Sequence, residues 1–287
     1  MRFALGSREF DERSRLVMAI VNRTRDSFYD QGATWDDGPA FERVDTVVDE
    51  GADIVDIGGI KAAPGEVIDA SEEMRRVVGF VAEVRARHPE VLISIDTWRA
   101  EVAREAVAAG ADLVNDAWGG HDRSLAGVVA ETGAGLVCTH TGGVAPRTRP
   151  HRIEYDDVVL EAIADTTAEA ERAASLGVRR EAIFIDPAHD FGKNTWHSLE
   201  ITRRLEEFTA TGWPVLVSLS NKDFVGETLD LPVGERLVGT LASTAICAFK
   251  GAHVYRVHEV AQTRQVLDMV ATIVGDRPPA RTVRGLG

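Results

Sequence analysis

The sequence predicts a single (β/α)8 barrel, and three observations carry that prediction. Short apolar runs alternate with helix-period segments eight times along the chain. The runs are continuously apolar, as expected of strands buried on both faces. A polar residue ends nearly every run, where a barrel of this class keeps its active face. The length of 287 residues suits one such domain over 1–287, and no shift in composition divides it. An open doubly wound sheet is the structural alternative; eight regular units favour closure.

The elements follow in order. Residues 1–15 are expected to form a short hairpin or extension under the barrel. Leu16 to Asn22 (LVMAIVN) is the first strand, and Gly38 to Gly51 is a helix with Phe41, Val44, Val47 and Val48 on its apolar face. Asp53 to Gly58 (DIVDIG) precedes a helix from Ser71 to Arg87. Val91 to Asp96 (VLISID) precedes Ala100 to Ala109, and Asp112 to Asp116 precedes Ser124 to Glu131. Gly135 to His140 precedes a long helix, Tyr155 to Leu176. Ala182 to Pro187 precedes Trp196 to Thr209, and Pro214 to Ser220 precedes Glu235 to Lys250. Val254 to His258 precedes Gln262 to Val274. Gly110, Gly133, Gly177 and Gly251 stand just past helix ends, where a left-handed backbone is common. The tail, 275–287, is basic and bears prolines; a surface-docked or disordered end is expected.

Bulk composition narrows the function. Net charge is −14, which argues against general binding of nucleic acid or anionic membranes. An anionic substrate would then need a local positive pocket. Cys138 and Cys247 sit in apolar settings, so both are expected to be reduced and buried, fitting a cytoplasmic protein. No stretch approaches 18 consecutive apolar residues, and the start lacks the apolar run of a signal peptide.

The polar strand ends form two chemical groups. Asp96, Asn115 and Asp186 offer acceptors and one amide donor, which suit a flat nitrogen heterocycle with several N–H groups. Their carboxylates would also favour positive charge developing on such a ring. Lys222, Arg256 and His258 offer donors and positive charge for a phosphate or pyrophosphate. Asn22 offers an oxygen for Mg2+ beside that anion. Together they suggest an anionic group leaving a heterocycle that becomes cationic. Any one of these residues alone would read equally well as a turn former or helix cap. The Gly pairs at 58–59, 119–120 and 142–143 read mainly as tight turns. His189, Asp190 and His197 lack the spacing that would make a metal site specific.

Seven collinear segments then carry a resemblance: AIVNRTRDSF (19–28), DIVDIGGIKAAPG (53–65), ISIDT (93–97), LVNDAWGG (113–120), IDPAHDFGK (185–193), LSNKDFVG (219–226) and YRVHE (255–259). Over about residues 15–275 the chain resembles the dihydropteroate synthase family of pterin-binding barrels. The resemblance implies condensation of 6-hydroxymethyl-7,8-dihydropterin pyrophosphate with p-aminobenzoate, releasing pyrophosphate. It implies pterin contacts at Asp96, Asn115, Asp186 and Lys222. It implies pyrophosphate and Mg2+ contacts at Asn22, Arg256 and His258, with Asp96, Lys222 and Arg256 central to catalysis. A homodimer packed through the last barrel helices is implied as well.

The chain departs from the family pattern in the loops expected to close on the acceptor. These are Arg25, Asp26 and Phe28 in the first loop, Lys61 and Ala63 in the second, and Asn221 and Asp223 after the seventh strand. The family usually has Pro where Arg25 stands, and Arg at the positions of Ala63 and Asn221. Asp223 replaces a serine that would lie near the acceptor's carboxylate. Two functions follow as expectations. One is a working synthase; the other is a divergent paralogue that binds pterin with little or no synthesis, or uses another acceptor.

Overall fold

The computed structural model describes residues 1–24, 34–65, 67–148 and 154–284. Strands β1 (Arg2–Leu5) and β2 (Arg8–Asp11) form an antiparallel hairpin. The barrel strands are β3 (Leu16–Asn22), β4 (Ile54–Gly58), β5 (Leu92–Asp96), β6 (Leu113–Asp116), β7 (Gly135–Thr139), β8 (Ile183–Asp186), β9 (Leu216–Ser218) and β10 (Val254–Val257). All pair in parallel, in the order β8-β7-β6-β5-β4-β3-β10-β9. A parallel bridge between Ile185 and Val215 closes the ring, with Ile185 N–H donating to Pro214 O at 2.9 Å.

The helices are α1 (Asp37–Asp49), α2 (Ala70–Arg87), α3 (Ala100–Ala108), α4 (Leu125–Thr132), α5 (Val158–Ser175), α6 (Thr195–Arg203), α7 (Leu205–Thr209), α8 (Asp223–Leu229), α9 (Leu237–Phe249) and α10 (Val260–Ile273). Local chemistry sets their ends. Asp69, rather than Ser71, caps α2, because its carboxylate accepts Glu72 N–H at 2.8 Å. Asp157 caps α5 through Val159 and Leu160 N–H, so that helix starts after the expected Tyr155. The helix expected over Trp196 to Thr209 is broken at Arg204, whose backbone leaves helical geometry at φ −109° and ψ 25°. α8 has no counterpart among the helices expected from sequence: it is seven residues long with Gly226 inside it. So short a segment shows no full period.

The period of two in each strand explains both the core and the site. On β3, Val17, Ala19 and Val21 face the helices. Leu16 and Met18 face the barrel axis, and Ile20 and Asn22 continue that inner row upward. The lower interior is an apolar layer from all eight strands: Leu16, Met18, Ile54, Leu92, Leu113, Val137, Phe184, Leu216 and Val254. Phe3 and Leu5 of the hairpin close it from below, with Phe3 edge-on to Phe184 at 5.6 Å. Burying each such side chain contributes roughly 1.5–3 kcal/mol. The upper interior is polar. The strands are therefore apolar on one whole face and on only the lower half of the other.

Candidate functional site

The site is the upper half of the barrel interior. The register aligns Asn22 with Gly58, Gly58 with Asp96, and Asp96 with Asn115 around the rim. Inward parity on the remaining strands supplies Thr139, Asp186, Ser218, Ser220, Arg256 and His258. Lys222, Phe191 and the 60–63 segment complete a cavity of about 920 Å3, counted out to its open rim.

Asp56 organises the floor. Its side chain is fully buried. It accepts from Arg256 Nε at 2.6 Å, from Ser94 Oγ at 2.6 Å and from Asn115 Nδ2 at 3.4 Å. Arg256 Nη2 donates to Asp96 Oδ2 at 2.8 Å, so one guanidinium bridges two carboxylates. Two charge-assisted hydrogen bonds to different carboxylates fix the plane of the guanidinium. Burial pushes the Asp96 carboxyl up to about 7, against the pull of Arg256. Asp186 is also raised by burial, opposed by Lys222, and its Oδ1 accepts Ala188 N–H at 2.7 Å.

Lys222 donates to the carbonyl of His189 and lies over the Phe191 ring, 5.0 Å from its centroid. Burial lowers the ammonium to about 8, opposed by Asp190 and Asp186. His258 Nδ1 lies 2.8 Å from Ser220 Oγ. Burial, reinforced by Arg256, drives this imidazole down to about 3, so it is neutral at physiological pH. The sequence grouped His258 with the positive donors; the fold makes it a polar, uncharged neighbour of Arg256.

The acceptor-loop residues separate into three sets. Lys61 and Ala63 line the cavity. Asn221 does not: it is 1% exposed, and its amide turns to Glu259 Oε1 at 2.8 Å and Ser220 Oγ at 3.3 Å. Asp223 faces outward in the first turn of α8, where Arg236 Nη1 donates to it at 3.0 Å. The negative charge expected near the acceptor is therefore answered by a cation. Arg25, Asp26 and Phe28 lie outside the described residues.

Several neighbours were not singled out from sequence. Thr139 and Ser218 reach the cavity because strand parity turns them inward. Lys193 is buried, donates to His140 O at 3.0 Å and Phe191 O at 2.9 Å, and so holds Phe191 at the cavity wall. His189, Asp190 and His197 have separate structural partners: Thr202 Oγ1, Ser198 Oγ with Phe224 N–H, and Asn194 N–H. Among the described residues no cluster of His, Cys, Asp or Glu could hold a metal ion by itself. Cys138 and Cys247 are free and buried. Among the described residues no helix is long and apolar enough to cross a membrane.

Residues 18–258 match the family described as pterin binding enzyme. The chain is 58% identical over 275 residues to "Inactive dihydropteroate synthase 2" of Mycobacterium tuberculosis, covering 94% of this chain and 86% of that one. It is 38% identical over 257 residues to dihydropteroate synthase of Bacillus subtilis, covering 89% and 87%. The dihydropteroate synthase of Yersinia pestis, solved with a sulfonamide drug, superposes with a TM-score of 0.90 at 30% identity, covering 96% of this chain and all of that one. A barrel with this polar upper interior, matched along nearly its whole length, belongs to the pterin-binding enzyme family as a divergent member of its dihydropteroate synthase branch.

Proposed function

We propose that this chain binds a reduced pterin in the upper barrel and is a paralogue with little or no dihydropteroate synthesis. The observation that carries this is a donor pocket retained beside an altered acceptor rim. Asp96, Asn115, Asp186 and Lys222 converge on one cavity: the first three can accept from the N–H groups of a pterin ring, and Lys222 can donate to its carbonyl or ring nitrogens. Arg256, with Asn22 and His258 beside it, is suited to a pyrophosphate group. At the rim, Ala63 carries no charge, and the Asn221 amide is turned into the protein. The relatives at 57–58% identity named as inactive synthases support the same reading, against 35–38% for those named as synthases.

Asn22 and Asp96 are the residues that would hold Mg2+, with Asp96 Oδ2 also accepting from Arg256 Nη2. Asn22 Oδ1 and Asp96 Oδ2 both lie within 3.8 Å of where a Gly58 side chain would begin, and both are hard oxygen donors. Two such donors suit an ion completed by a pyrophosphate and water rather than a protein cage. Bound there, Mg2+ would neutralise charge on the leaving group. Around it, Arg256 would hold the pyrophosphate, while Asp96 and Asp186 would face positive charge on the ring. An aromatic amine is already nucleophilic, so no general base is required of the chain.

A cytoplasmic homodimer is part of the proposal. The exposed apolar residues Val238, Ile246 and Phe249 of α9 and Met269 and Ile273 of α10 lie on two helices packed together, which a second copy would cover.

The test is pyrophosphate release by the purified protein with dihydropterin pyrophosphate and Mg2+, with and without p-aminobenzoate, alongside calorimetric pterin binding. Saturable binding without amine-dependent release is expected. Robust release dependent on p-aminobenzoate would overturn the inactive reading in favour of a working synthase. Absence of pterin binding would overturn the proposal altogether.

A further inference from the structure

A lysine at the head of a helix brings no hydrogen-bond acceptor. Lys222 stands just before α8 and makes no cap of its own, since an ammonium can only donate. The acceptor comes from another loop. Asp190, in the segment after β8, accepts the N–H of Phe224 on Oδ2 at 3.1 Å. Its Oδ1 accepts from Ser198 Oγ of α6 at 2.9 Å, and the same hydroxyl accepts Asp190 N–H at 3.0 Å. One carboxylate therefore ties together the segment after β8, α6 and the start of α8. The Asp190 backbone is left-handed at φ 68°, a conformation that Asp accepts better than most residues with a side chain. With the helix start capped from outside, the Lys222 side chain can donate to His189 O and reach the cavity.

The same carboxylate shapes the field at Lys222. The charged groups around this ammonium are Asp190, Asp186 and Lys193 from the segment that ends β8, Asp223 beside it on α8, and Arg256 on β10. His189 and His258 face it as neutral rings, both lowered by burial. Arg256 and Lys193 repel the ammonium. Asp223 is already answered by Arg236 Nη1 at 3.0 Å. Asp186 lines the cavity, where a ligand would engage it; Asp190 does not line it. Asp190 is thus the negative charge behind Lys222 for which no ligand competes. It is also the group that most opposes the lowering of the ammonium by burial.

We infer that Asp190 is a positioning residue for Lys222: it fixes the start of α8 and sets a negative charge behind the ammonium, so that Lys222 meets the pterin as a charged donor. This rests on the pterin-binding reading above and adds how one of its contacts is kept in its binding form.

The experiment is calorimetry on the full chain with 6-hydroxymethyl-7,8-dihydropterin as the probe, across a pH series. Asp190→Asn keeps the shape and an oxygen for Phe224 N–H but removes the charge. Its affinity should fall about tenfold on the alkaline side, as that limb of the profile moves down by about one pH unit. Asp190→Gly, unstrained at this φ, should lose at least as much, which separates loss of the carboxylate from a fold defect peculiar to the Asn variant. In a Lys222→Met background, Asp190→Asn should change affinity by less than about twofold. An equal loss with and without Lys222 would make Asp190 a support of the loop alone and overturn the inference, while the pterin reading stands. An unshifted alkaline limb in Asp190→Asn, or parent affinity in Asp190→Gly, would overturn it as well. A parent chain that does not bind the dihydropterin would overturn both.

Discussion

At the scale of single residues, the site depends on ionisable groups moved toward neutrality by burial. Asp96 is raised to about 7, and Lys222 is lowered to about 8. The signs give a window. An ionised carboxylate accepts pterin N–H groups more strongly than a protonated one, so pterin affinity should fall as pH drops below about 7. A protonated Lys222 donates more strongly to the acceptor atoms of the ring than a neutral amine does, so pterin affinity should fall again as pH rises above about 8. Calorimetry between pH 5.5 and 9.5 checks both, with a loss approaching tenfold per unit on each side. A flat profile on either side would show that the corresponding group does not contact the pterin. Asp96, Lys222 and Arg256 could be picked out in the sequence because each sits near a strand end. The bridge from Arg256 to both Asp56 and Asp96 could not, because 200 and 160 residues separate the partners. Asn221 shows the same limit. Its neighbours in sequence place it at the mouth, yet its φ of 56° turns the side chain toward Glu259.

At the scale of elements, α8 sets where Lys222 stands, and one arginine secures it. Arg236 Nη1 donates to Asn221 O at 2.9 Å and Asp223 Oδ1 at 3.0 Å, and its Nε donates to Leu231 O at 3.1 Å. This guanidinium lies flat against Gly226, where any Cβ would collide with it. Gly226→Ala is therefore expected to destabilise the protein by about 1–3 kcal/mol, read as a lower denaturation midpoint. In an Arg236→Ala background the added cost should be much smaller, because the colliding group is gone. Equal cost in both backgrounds would refute the clamp. The longer helices were legible from their period and caps. The short α8 and the break at Arg204 were not, because tertiary partners define them: Asp190 on the N–H of Phe224, and Asp157 on Arg204.

At the scale of the whole molecule, the hairpin closes one end of the barrel and the polar cavity opens at the other. The exposed apolar stripe on α9 and α10 lies outside both. If it is the surface between two copies, Phe249→Glu with Met269→Glu should shift the protein from dimer to monomer in sedimentation at micromolar concentration. A parent protein already monomeric at that concentration would refute the dimer. Both residues are well exposed, at 70% and 61%, so the double change should leave the fold of each copy intact.

The sequence by itself determined the eightfold strand–helix alternation, the approximate bounds of the elements and the rim on which the polar residues gather. Each of these rests on local information: a period of two or 3.6, a cap, a glycine past a helix end. Tertiary structure alone decided which polar residues share a cavity and which charges are already answered. Arg147 and Ala63 are 84 residues apart. Closure of the barrel brings their loops together, and a linear pattern records nothing of that contact.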